Sequence, residues 1–561
     1  MLSSYTYPRY HSPPVPEMVS GEVKRAPLVI VGAGPVGLAA AIDAAQRGLP
    51  VLLLDDDNTV SVGSRGVCYA KRTLEILDRL GVGERVVAKG VTWNVGRTYH
   101  RDEEVFAFNL LPAAGHHRPG MVNLQQYYLE QYLVERAMQL PAIELRWLHK
   151  VVAVEPQANH VLLDVQTEQG NYRVQADWLI AADGAKSPIR RMLGLDIEGK
   201  VFHDRFLIAD LVLKGLDLPA ERRFWFDPPW HPKQSALLHR QADDIWRFDF
   251  QLGWDADPEL EKQPERVIAR VRAALAQIGH AEVGFELEWV SVYTFQCRRM
   301  VKFRHGRVLF AGDAAHQVSP FGARGANSGI QDADNLVWKL AAVMAGQAGE
   351  ALLDSYCDER GAAADDNIAV TTRSTDFLTP KSAASLLMRN AVLQLAARHE
   401  FARALVNSGR LSVPTFLLGS ALNTPDSEVF AGRMTPGAPL DDAPVRVNGH
   451  YRWLLPQVGG ATFTCLVYAD GPLPPLPADS PTLRSLLVVP AGAAADAVSW
   501  AGEHAVIEDC DGLVRERLDL RPGSTYLLRP DQHVAARWRH FDAVRVRAAL
   551  ARATASPWSN A

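Results

Sequence analysis

The feature that most constrains the fold is a glycine-rich segment near the N-terminus, VIVGAGPVGLAAAIDAAQRGLPVLLLDDD, at residues 29–57. An apolar run ends at Gly32, a helical pattern extends from Pro35 to Arg47, and a second apolar run ends at Asp55. This order predicts a β-α-β unit. Such units build a doubly wound parallel sheet, so the segment predicts a Rossmann-like α/β domain.

The glycines of this segment follow the spacing of a dinucleotide-binding turn. Gly32 permits a tight turn, Gly34 lets the backbone approach a pyrophosphate, and Gly37 lets the helix pack closely on the strand. Asp55, 23 residues after Gly32, is placed to accept a hydrogen bond from a ribose hydroxyl. A purely structural turn is the alternative, but strand, helix and acid in register favour a dinucleotide. The pattern does not choose between nicotinamide and flavin.

Composition excludes several classes of protein. At 561 residues the chain is long enough for about two to four domains. The net charge of −5 gives no support to nucleic-acid binding. No apolar run approaches the roughly 18 residues that cross a bilayer, so we expect no membrane partner. The five cysteines are scattered without a C-x-x-C pair, which indicates reduced thiols and a cytoplasmic protein, and we expect no metal site.

Changes in residue composition and pattern along the chain predict its domains. Aromatic, partly alternating segments such as FWFDPPW and IWRFDFQL indicate a β-rich region, and a turn-rich linker after residue 420 precedes further short strands. The predicted parts are an N-terminal arm at 1–25, a cofactor-binding domain at 26–202 that continues with helices at 299–420, a β-rich substrate domain at 203–298, and a C-terminal domain at 428–556.

Two later strand ends carry motifs that favour flavin over nicotinamide. DWLIAADG at 177–184 leads into DGAKSPIRRMLG, and RVLFAGDAAH at 307–316 leads into GDAAHQVSPFGARGANSGIQDADNLVWKL. Their order and spacing after the glycine turn resemble the class A flavoprotein aromatic hydroxylases, the single-component monooxygenases of the 4-hydroxybenzoate hydroxylase and phenol hydroxylase type. The resemblance covers residues from about 26 to 410 and is greatest for the 3-(3-hydroxyphenyl)propionate hydroxylase branch.

The resemblance implies FAD as the cofactor, held by several separate segments. Asp313 would hold the flavin ribitol, and the loop that starts at Pro320 would place backbone amides near the isoalloxazine. Arg65 and Gln126 also lie where the family contacts FAD; the alternatives are a surface arginine and a helix-face glutamine. His316 is interpreted as a packing residue. The resemblance implies these further FAD-binding residues: Gly312, Gly322, Gly325, Asn327, Asp183 and Gly184.

The chemistry that the resemblance implies is hydroxylation of a small phenolic substrate. NADH or NADPH reduces FAD, dioxygen forms a flavin hydroperoxide, and its distal oxygen attacks the aromatic ring, leaving a hydroxylated ring and water. Attack is easier on a phenolate, and ionising a phenol with a pKa of about 10 costs about 4 kcal/mol at pH 7. The acidic run at 55–57 offers no cation for a ribose 2′-phosphate, which favours NADH.

The β-rich region supplies the candidate catalytic groups. RFDFQL at 247–252 resembles a phenol hydroxylase segment that begins Arg-Phe-Tyr, so Arg247 falls on a site arginine and Asp249 on a site tyrosine. Asp249 could act as a base toward a phenol or bind a substrate amine, and Arg247 could stabilise a phenolate or the flavin. His239 is the other candidate base. A surface salt bridge is the alternative for these strand residues. Pro320 completes the catalytic set.

The C-terminal region resembles the thioredoxin-like appendage of phenol and phenylpropionate hydroxylases, with GSTYLLRPDQHVAARW at 523–538 near its end. Without a C-x-x-C pair it lacks the dithiol of redox exchange, so we expect a packing role or a homodimer contact. We therefore predict an α/β flavoprotein, with a β-rich substrate domain and a thioredoxin-like C-terminal domain, that hydroxylates a phenol in aromatic catabolism. The alternatives are an oxygenase of polycyclic natural products and a non-catalytic flavin-binding protein.

Overall fold

The computed structural model describes three ranges of the chain: 5–406, 411–494 and 502–556. Parts of three predicted segments lie outside the described residues: 1–4 of the arm, 407–410 of the segment 299–420, and 495–501 of the C-terminal domain. The described residues form three large β-sheets with helices packed around them. The predicted α/β class is confirmed.

The first sheet contains the predicted β-α-β unit. Its strand Lys24–Val31 pairs in parallel with Val51–Leu54 on one side and with Gly170–Ala181 on the other. These strands are apolar and mostly buried because helices pack against the sheet. The remaining strands of this sheet are Ile143–Arg146, Lys150–Pro156, Val161–Thr167, Arg304–His305 and Val308–Phe310.

Helices connect the first sheet to the rest of the molecule. Pro35–Gln46 follows the first strand and packs against Gln126–Met138 and Gly325–Met344, and the long helix Ala351–Leu378 packs against Gly325–Met344. Within the described ranges, no helix is both long and apolar enough to cross a lipid bilayer. The other described α-helices are Pro16–Ser20, Lys71–Leu80, Gly83–Lys89, Pro188–Met192, Pro258–Glu261, Pro264–Gln277, Ala383–Arg398, Glu400–Arg403, Leu513–Leu518 and Ala543–Ala553.

The second sheet is the β-rich part of the molecule. One face packs on helix Pro264–Gln277, and the opposite face contacts residues of the loop at 320–325 and of the helices that follow it. In order across the sheet, its strands are His316–Gln317, Phe285–Arg299, Glu198–Leu213, Ile245–Leu252, Ser235–Arg240, Arg222–Phe226, Val95–His100 and Glu103–Asn109.

The second sheet has a different extent from the predicted region 203–298. It includes two strands from 95–109, which lie inside the predicted cofactor-binding segment, and the strand Glu198–Leu213 crosses the boundary at residue 203. Sheets are joined by hydrogen bonds between segments distant in sequence, so a reading along the chain does not reveal such members. The predicted domain boundaries stay predictions.

The C-terminal part forms a mixed sheet of its own. Across this third sheet the strands are His450–Trp453, Pro444–Val447, Ala505–Asp509, Leu483–Pro490, Phe463–Tyr468, Thr525–Leu528 and Val534–Trp538. A small separate sheet contains Cys68–Ala70, Met121–Asn123 and Val91–Trp93. The thioredoxin-like assignment of the C-terminal part stays a prediction.

Buried charges join the C-terminal part to the helices around the first sheet. Arg529 donates to Glu359 at 2.6 Å and to Asp531 at 2.6 Å, and Lys339 pairs with Glu359 at 2.7 Å. Trp338 also donates to Asp531, at 3.1 Å. Removing one partner of a buried ion pair leaves an uncompensated charge, so we expect loss of a member of this cluster to destabilise the contact between the two parts.

Candidate functional site

The glycine turn is a close crossing between the first strand and the helix Pro35–Gln46. Gly32 has a positive φ of 106°, and a Cβ there would lie 2.4 Å from the carbonyl oxygen of Ala182. A Cβ on Gly37 would lie 1.9 Å from the carbonyl oxygen of Gly32. A Cβ on Gly34 would meet no atom within 4 Å. The space beside Gly34, at the start of the helix, is therefore open to a ligand.

Asp55 stabilises this turn from the end of the neighbouring strand. Its carboxylate accepts hydrogen bonds from the backbone N–H groups of Ala33 and, at 2.8 Å, Asp57. Burial raises the pKa of Asp55 to about 6, although the two hydrogen bonds oppose the rise. The carboxylate thus holds the glycine turn directly, and its contact with a ribose hydroxyl stays a prediction.

The second predicted strand end carries Asp183 and Gly184. Asp183 accepts a hydrogen bond from the N–H of Ile189 at 2.9 Å, and Gly184 turns the chain with a positive φ of 78°. Arg190 donates to the carbonyl oxygen of Ala314 at 2.6 Å. Arg190 therefore ties the second strand end to the third.

The third strand end, at Gly312 and Asp313, is held by a buried ionic cluster. The N–H of Gly312 donates to Asp332 at 3.0 Å, and Asp332 also pairs with His316 and Arg360. Burial alone would raise the pKa of Asp332, but His316 and Arg360 hold it below its ordinary value. The side chain of the next residue, Asp313, is exposed.

The glycine-rich loop at 320–325 leads into the helix Gly325–Met344. Gly322 has a positive φ of 105°, a conformation that favours glycine. The amide of Asn327 bonds to the backbone of the strand Cys68–Ala70 and to the loop itself, so it fixes the loop against that strand. The N–H groups in the first turn of a helix have no carbonyl partner within it, so this end favours negative charge.

A separate loop, 61–66, brings Arg65 to the same cleft. Gln126 accepts a backbone hydrogen bond from this loop at 2.9 Å, and Arg247 donates to the carbonyl oxygen of Ser64. The side chain of Arg65 is exposed. Gln126 and Arg247 both bond to the backbone of the loop, so the guanidinium of Arg65 remains accessible.

Arg65, Asp313 and Tyr293 are close enough to influence one another electrostatically. Burial raises the pKa of Tyr293 to about 12, with Asp313 adding to the rise and Arg65 opposing it. An accessible cation, an exposed carboxylate, a helix N-terminus and the open space beside Gly34 form one cradle. This donor set suits the pyrophosphate and the hydroxyl groups of a dinucleotide such as FAD.

An aromatic cavity of about 70 Å³ lies between the second sheet and the loop at 320–325. Gly322 belongs to its wall, so the cavity adjoins the cradle, and Thr98, Ser374 and Arg222 are among its polar members. Such a wall suits a flat aromatic ring. Phenylalanine side chains form much of the wall: Phe108, Phe224, Phe226, Phe321 and Phe377.

Two of the predicted catalytic residues, Arg247 and His239, are buried and already engaged. They pair across neighbouring strands of the second sheet. Arg247 donates to both carboxylate oxygens of Asp210, at 2.7 and 2.8 Å. The Nδ1 atom of His239 accepts a hydrogen bond from Asn123 at 3.0 Å, and burial lowers the pKa of His239 well below its ordinary value. Both side chains therefore serve the local structure.

Asp249 differs from these neighbours. It is half-buried, and its Oδ1 atom has no hydrogen-bond partner among the residues that the structure describes. Burial raises the pKa of Asp249 to about 6, with Arg247 and Arg222 opposing the rise. A carboxylate with this pKa is largely ionised at pH 7 and is able to accept a proton.

Residues 25–371, more than half of the chain, match the model of the FAD binding domain family. The chain belongs to this family. FAD is therefore its cofactor, as the resemblance carried by the three strand ends implies.

Individual proteins are similar to this chain over different lengths. It is 30% identical over 370 residues to the 3-(3-hydroxy-phenyl)propionate/3-hydroxycinnamic acid hydroxylase of Mycolicibacterium smegmatis, across 66% of this chain and 64% of that protein. It is 29% identical over 545 residues to the 6-methylpretetramide 4-monooxygenase of Streptomyces rimosus, across 91% of this chain and 90% of that protein. The crystal structure of the flavin-dependent monooxygenase PieE with FAD and substrate shares the fold, with a TM-score of 0.76 at 24% identity, across 95% of this chain and 99% of that one.

Within the FAD binding domain, most of the predicted cofactor residues lie at the carboxyl edge of the first sheet or on the loops beside it. The amide oxygen of Gln126 accepts from the backbone of the loop 61–66, and its nitrogen donates to the side chains of Ser61 and Glu130. The amide of Asn327 bonds to backbone groups, so both residues position loops. Pro320 is exposed, and its carbonyl oxygen accepts a hydrogen bond from the N–H of Ala323 at 3.0 Å. The roles of these residues toward FAD and substrate stay predictions.

Asp332, Tyr293 and Arg222 are among the site residues absent from the set predicted from the sequence, as are the phenylalanines of the cavity wall. Asp332 carries a local sign of its role, because it is an acidic residue in the first turns of a helix and the other residues of those turns are mostly buried. Arg222 and Tyr293 lie in strands of the second sheet, and the pairing of those strands decides which side chains face the cavity. No local pattern identifies them.

Proposed function

We propose that the protein is an FAD-dependent monooxygenase that hydroxylates a phenolic ring with NAD(P)H and dioxygen. The observation that carries the proposal is the aromatic cavity, which shares Phe321 and Gly322 with the loop of the FAD site. Asp249 lies on a strand of the same sheet, within electrostatic reach of the cavity residue Arg222. It is ionisable and has no hydrogen bond to Oδ1, so it is able to take the phenol proton. The hydroxylase and monooxygenase relatives support the reaction class.

The first task of the chain is to hold the cofactor. Bound FAD supplies a reactive oxygen atom once a nicotinamide has reduced it and dioxygen has reacted with it. The open backbone at Gly34 and the cation of Arg65 would meet the pyrophosphate, and Asp55 and Asp313 would accept hydrogen bonds from hydroxyl groups. The N-terminus of the helix Gly325–Met344 would stabilise negative charge on the reduced ring.

The second task is to prepare the substrate, and Asp249 is the base that we favour. Complete transfer of a proton from a phenol with a pKa of about 10 to a carboxylate with a pKa of about 6 is uphill by about 5 kcal/mol. Partial transfer during attack on the ring is enough, and a positioned base typically contributes about 10²- to 10⁴-fold to a rate. His239 is less suited, because its Nδ1 is occupied and its pKa is low.

Arg247 takes a positioning role in this proposal. Its guanidinium is neutralised by Asp210 and holds the loop that carries Arg65. It therefore connects the substrate face of the second sheet to the cofactor loop, and we do not assign it a direct contact with the phenol.

A polycyclic aromatic substrate is the second candidate. Similarity to 6-methylpretetramide 4-monooxygenase over 91% of this chain favours it. The phenylalanine side chains of the cavity suit a flat aromatic substrate with one ring or with several. Turnover of single-ring phenols compared with polycyclic phenols distinguishes the two candidates.

The deciding experiment supplies the FAD-loaded enzyme with NADH, ¹⁸O₂ and a panel of phenols, hydroxybenzoates and hydroxyphenylpropionates. We expect at least one aromatic to accelerate NADH oxidation and to gain one labelled oxygen on its ring. If no aromatic accelerates NADH oxidation or gains label, the monooxygenase proposal is wrong and a non-catalytic flavin-binding role is supported.

We also propose that NADH is preferred, and that the enzyme is a cytoplasmic homodimer. The acidic run at 55–57 supports the first, and the cysteines, each within a described range and each a free thiol, are in keeping with a reducing compartment. Equal turnover with NADPH, or a monomeric mass in solution, would contradict these assignments.

A further inference from the structure

Residues 5–15 form an arm without helix or strand that lies against the cofactor-binding part of the molecule. The arm lies outside the match to the FAD binding domain, which begins at residue 25. The ring of Tyr5 stacks on Tyr127 with 4.1 Å between the ring centroids, and its hydroxyl donates to Gln131 at 2.7 Å. Val15, at the other end, is buried in the core around the first sheet. The arm is therefore anchored at both ends.

Between its ends the arm bonds to the loop 55–66 at two points. The hydroxyl of Tyr7 accepts a hydrogen bond from the N–H of Gly63 at 3.0 Å. The N–H of Tyr10 donates to the carbonyl oxygen of Asn58 at 2.8 Å. Both bonds reach the backbone of the loop, so a docked arm restrains the path of the loop itself.

The ring of Tyr10 adds an anchor beside the start of this loop. It stacks on Trp147, with 4.6 Å between the ring centroids and 12° between the ring planes. Two residues further along the chain, the N–H of His149 donates to the carbonyl oxygen of Asp55 at 2.8 Å. Tyr10 thus fixes the arm to a segment that is itself bonded to the loop.

The loop 55–66 joins two residues of the predicted FAD contacts, Asp55 at its start and Arg65 near its end. All of its residues lie in a described range, and they form no helix or strand. Without a ladder of backbone hydrogen bonds, the position of the loop depends on groups that bond to it from other segments. Gln126 and Arg247 hold its last residues, and the arm holds its middle.

We propose that the arm is a clasp for FAD, which keeps the loop 55–66 closed on the bound cofactor and detaches before FAD leaves. The inference goes beyond the proposed function, because it concerns retention of the cofactor and not the reaction. Tyr5, Tyr7 and Tyr10 are positioning residues, since they act on FAD through the loop. A loop that is already fixed binds with a smaller loss of conformational freedom, so the docked arm raises the affinity for FAD.

The first test loosens the arm without altering any residue of the loop. Tyr5→Ala combined with Tyr10→Ala removes both ring anchors and leaves Tyr7 and the predicted FAD contacts in place. Since one aromatic pair contributes about a factor of 2 to 10, we expect FAD to leave the double variant about 4- to 100-fold faster than the wild type. The rise in flavin fluorescence after dilution of the FAD-loaded enzyme measures this release rate.

Tyr451→Ala is the matched control. Tyr451 also packs its ring on a tryptophan, Trp453, with 5.8 Å between the centroids, but it lies in the C-terminal sheet. We expect this variant to release FAD within about 2-fold of the wild-type rate. Wild-type release from the double variant, or an equal acceleration in Tyr451→Ala, would overturn the clasp. Weaker FAD binding that arises only from slower association would also overturn it.

The second test uses the unaltered chain and observes the arm. Arg9 is exposed and is the first Lys or Arg of the sequence, so trypsin releases the fragment 1–9 when the arm detaches. Because coupling between two sites is reciprocal, saturating FAD should slow release of this fragment by about 4- to 100-fold. Mass spectrometry follows the fragment. Equal release with and without FAD would show that the arm serves the fold alone, and the proposal would be wrong.

Discussion

Alanine at Gly34 tests whether the glycine turn is built for a pyrophosphate. In the protein alone, a Cβ at Gly34 meets no atom within 4 Å, and the φ of −77° is one that alanine adopts readily. We therefore expect Gly34→Ala to change the free energy of unfolding of the cofactor-free protein by less than about 0.5 kcal/mol.

The cost of Gly34→Ala appears only when FAD binds. The added methyl group occupies the space that the pyrophosphate needs, and forcing an extra carbon into a packed contact costs about 1–3 kcal/mol. Since each 1.4 kcal/mol is about one factor of ten, FAD affinity should fall by about 5- to 150-fold. Quenching of flavin fluorescence measures this dissociation constant, and thermal unfolding of the cofactor-free protein measures stability.

Gly37→Ala is the control with the opposite signature. Its Cβ would lie 1.9 Å from the carbonyl oxygen of Gly32, so the helix must move in the protein alone. We expect a loss of at least about 1–3 kcal/mol of stability before any cofactor is added. Wild-type FAD affinity in Gly34→Ala, or a lowered melting temperature of its cofactor-free form, would refute the assignment of the open space to FAD.

Three further changes test the base, the loop support and the buried charges. Asp249→Asn should lower hydroxylation by at least about 100-fold with FAD retained. It should also abolish the rise in rate that we expect for the wild type near pH 6, where the carboxylate becomes ionised. His239→Gln is the comparison, and an equal loss of hydroxylation there would contradict the choice of base. Tyr7→Phe removes the hydroxyl that accepts the N–H of Gly63 at 3.0 Å, so FAD should bind about 2- to 10-fold more weakly as the loop 61–66 loosens, and unchanged affinity would exclude this support. Glu359→Gln should cost about 3–5 kcal/mol of stability in denaturant unfolding, and a smaller loss would show that the buried charges tolerate its removal.

The stabilising contribution of Glu359 also has a defined pH dependence. Burial alone would raise the pKa of Glu359, but Arg529 and Lys339 hold it well below its ordinary value. A carboxylate whose pKa is lower in the folded state stabilises above its unfolded pKa of about 4.3, and this stability is lost as the pH falls below that value. The wild type should therefore lose stability more steeply than Glu359→Gln on acidification below about pH 4.

The cofactor site was largely predictable because its signals are local. Gly32 and Gly37 are required by a crossing between adjacent elements, Gly34 leaves open space beside it, and Asp55, Asp183 and Asp313 follow directly at strand ends. Parallel strands bring such ends to one edge whatever the details of the surrounding structure. The order of these motifs therefore carries the resemblance to flavoprotein hydroxylases, which implies FAD without knowledge of any distant contact.

The substrate site depended on the tertiary structure. Arg247, His239 and Asp249 lie in strands with similar patterns of polar and apolar residues. Asp210 nevertheless neutralises Arg247, and Asn123 donates a hydrogen bond to Nδ1 of His239. Asp249 keeps an oxygen without a hydrogen-bond partner among the described residues. Ionisation and availability depend on burial and on partners from other strands, which pairing between distant segments decides. For the same reason, no local signal marks Arg222.

The sequence by itself determined the α/β class and the glycine turn typical of dinucleotide binding, because both rest on neighbours along the chain, and its resemblance to the flavoprotein hydroxylases implied flavin. Only the tertiary structure decided how far the second sheet extends, which carboxylate of that sheet keeps an unpartnered oxygen and which side chains line the aromatic cavity. Those properties arise where strands from 95–109, 198–252 and 285–299 meet, and the pairing of strands that far apart is not written in any one of them.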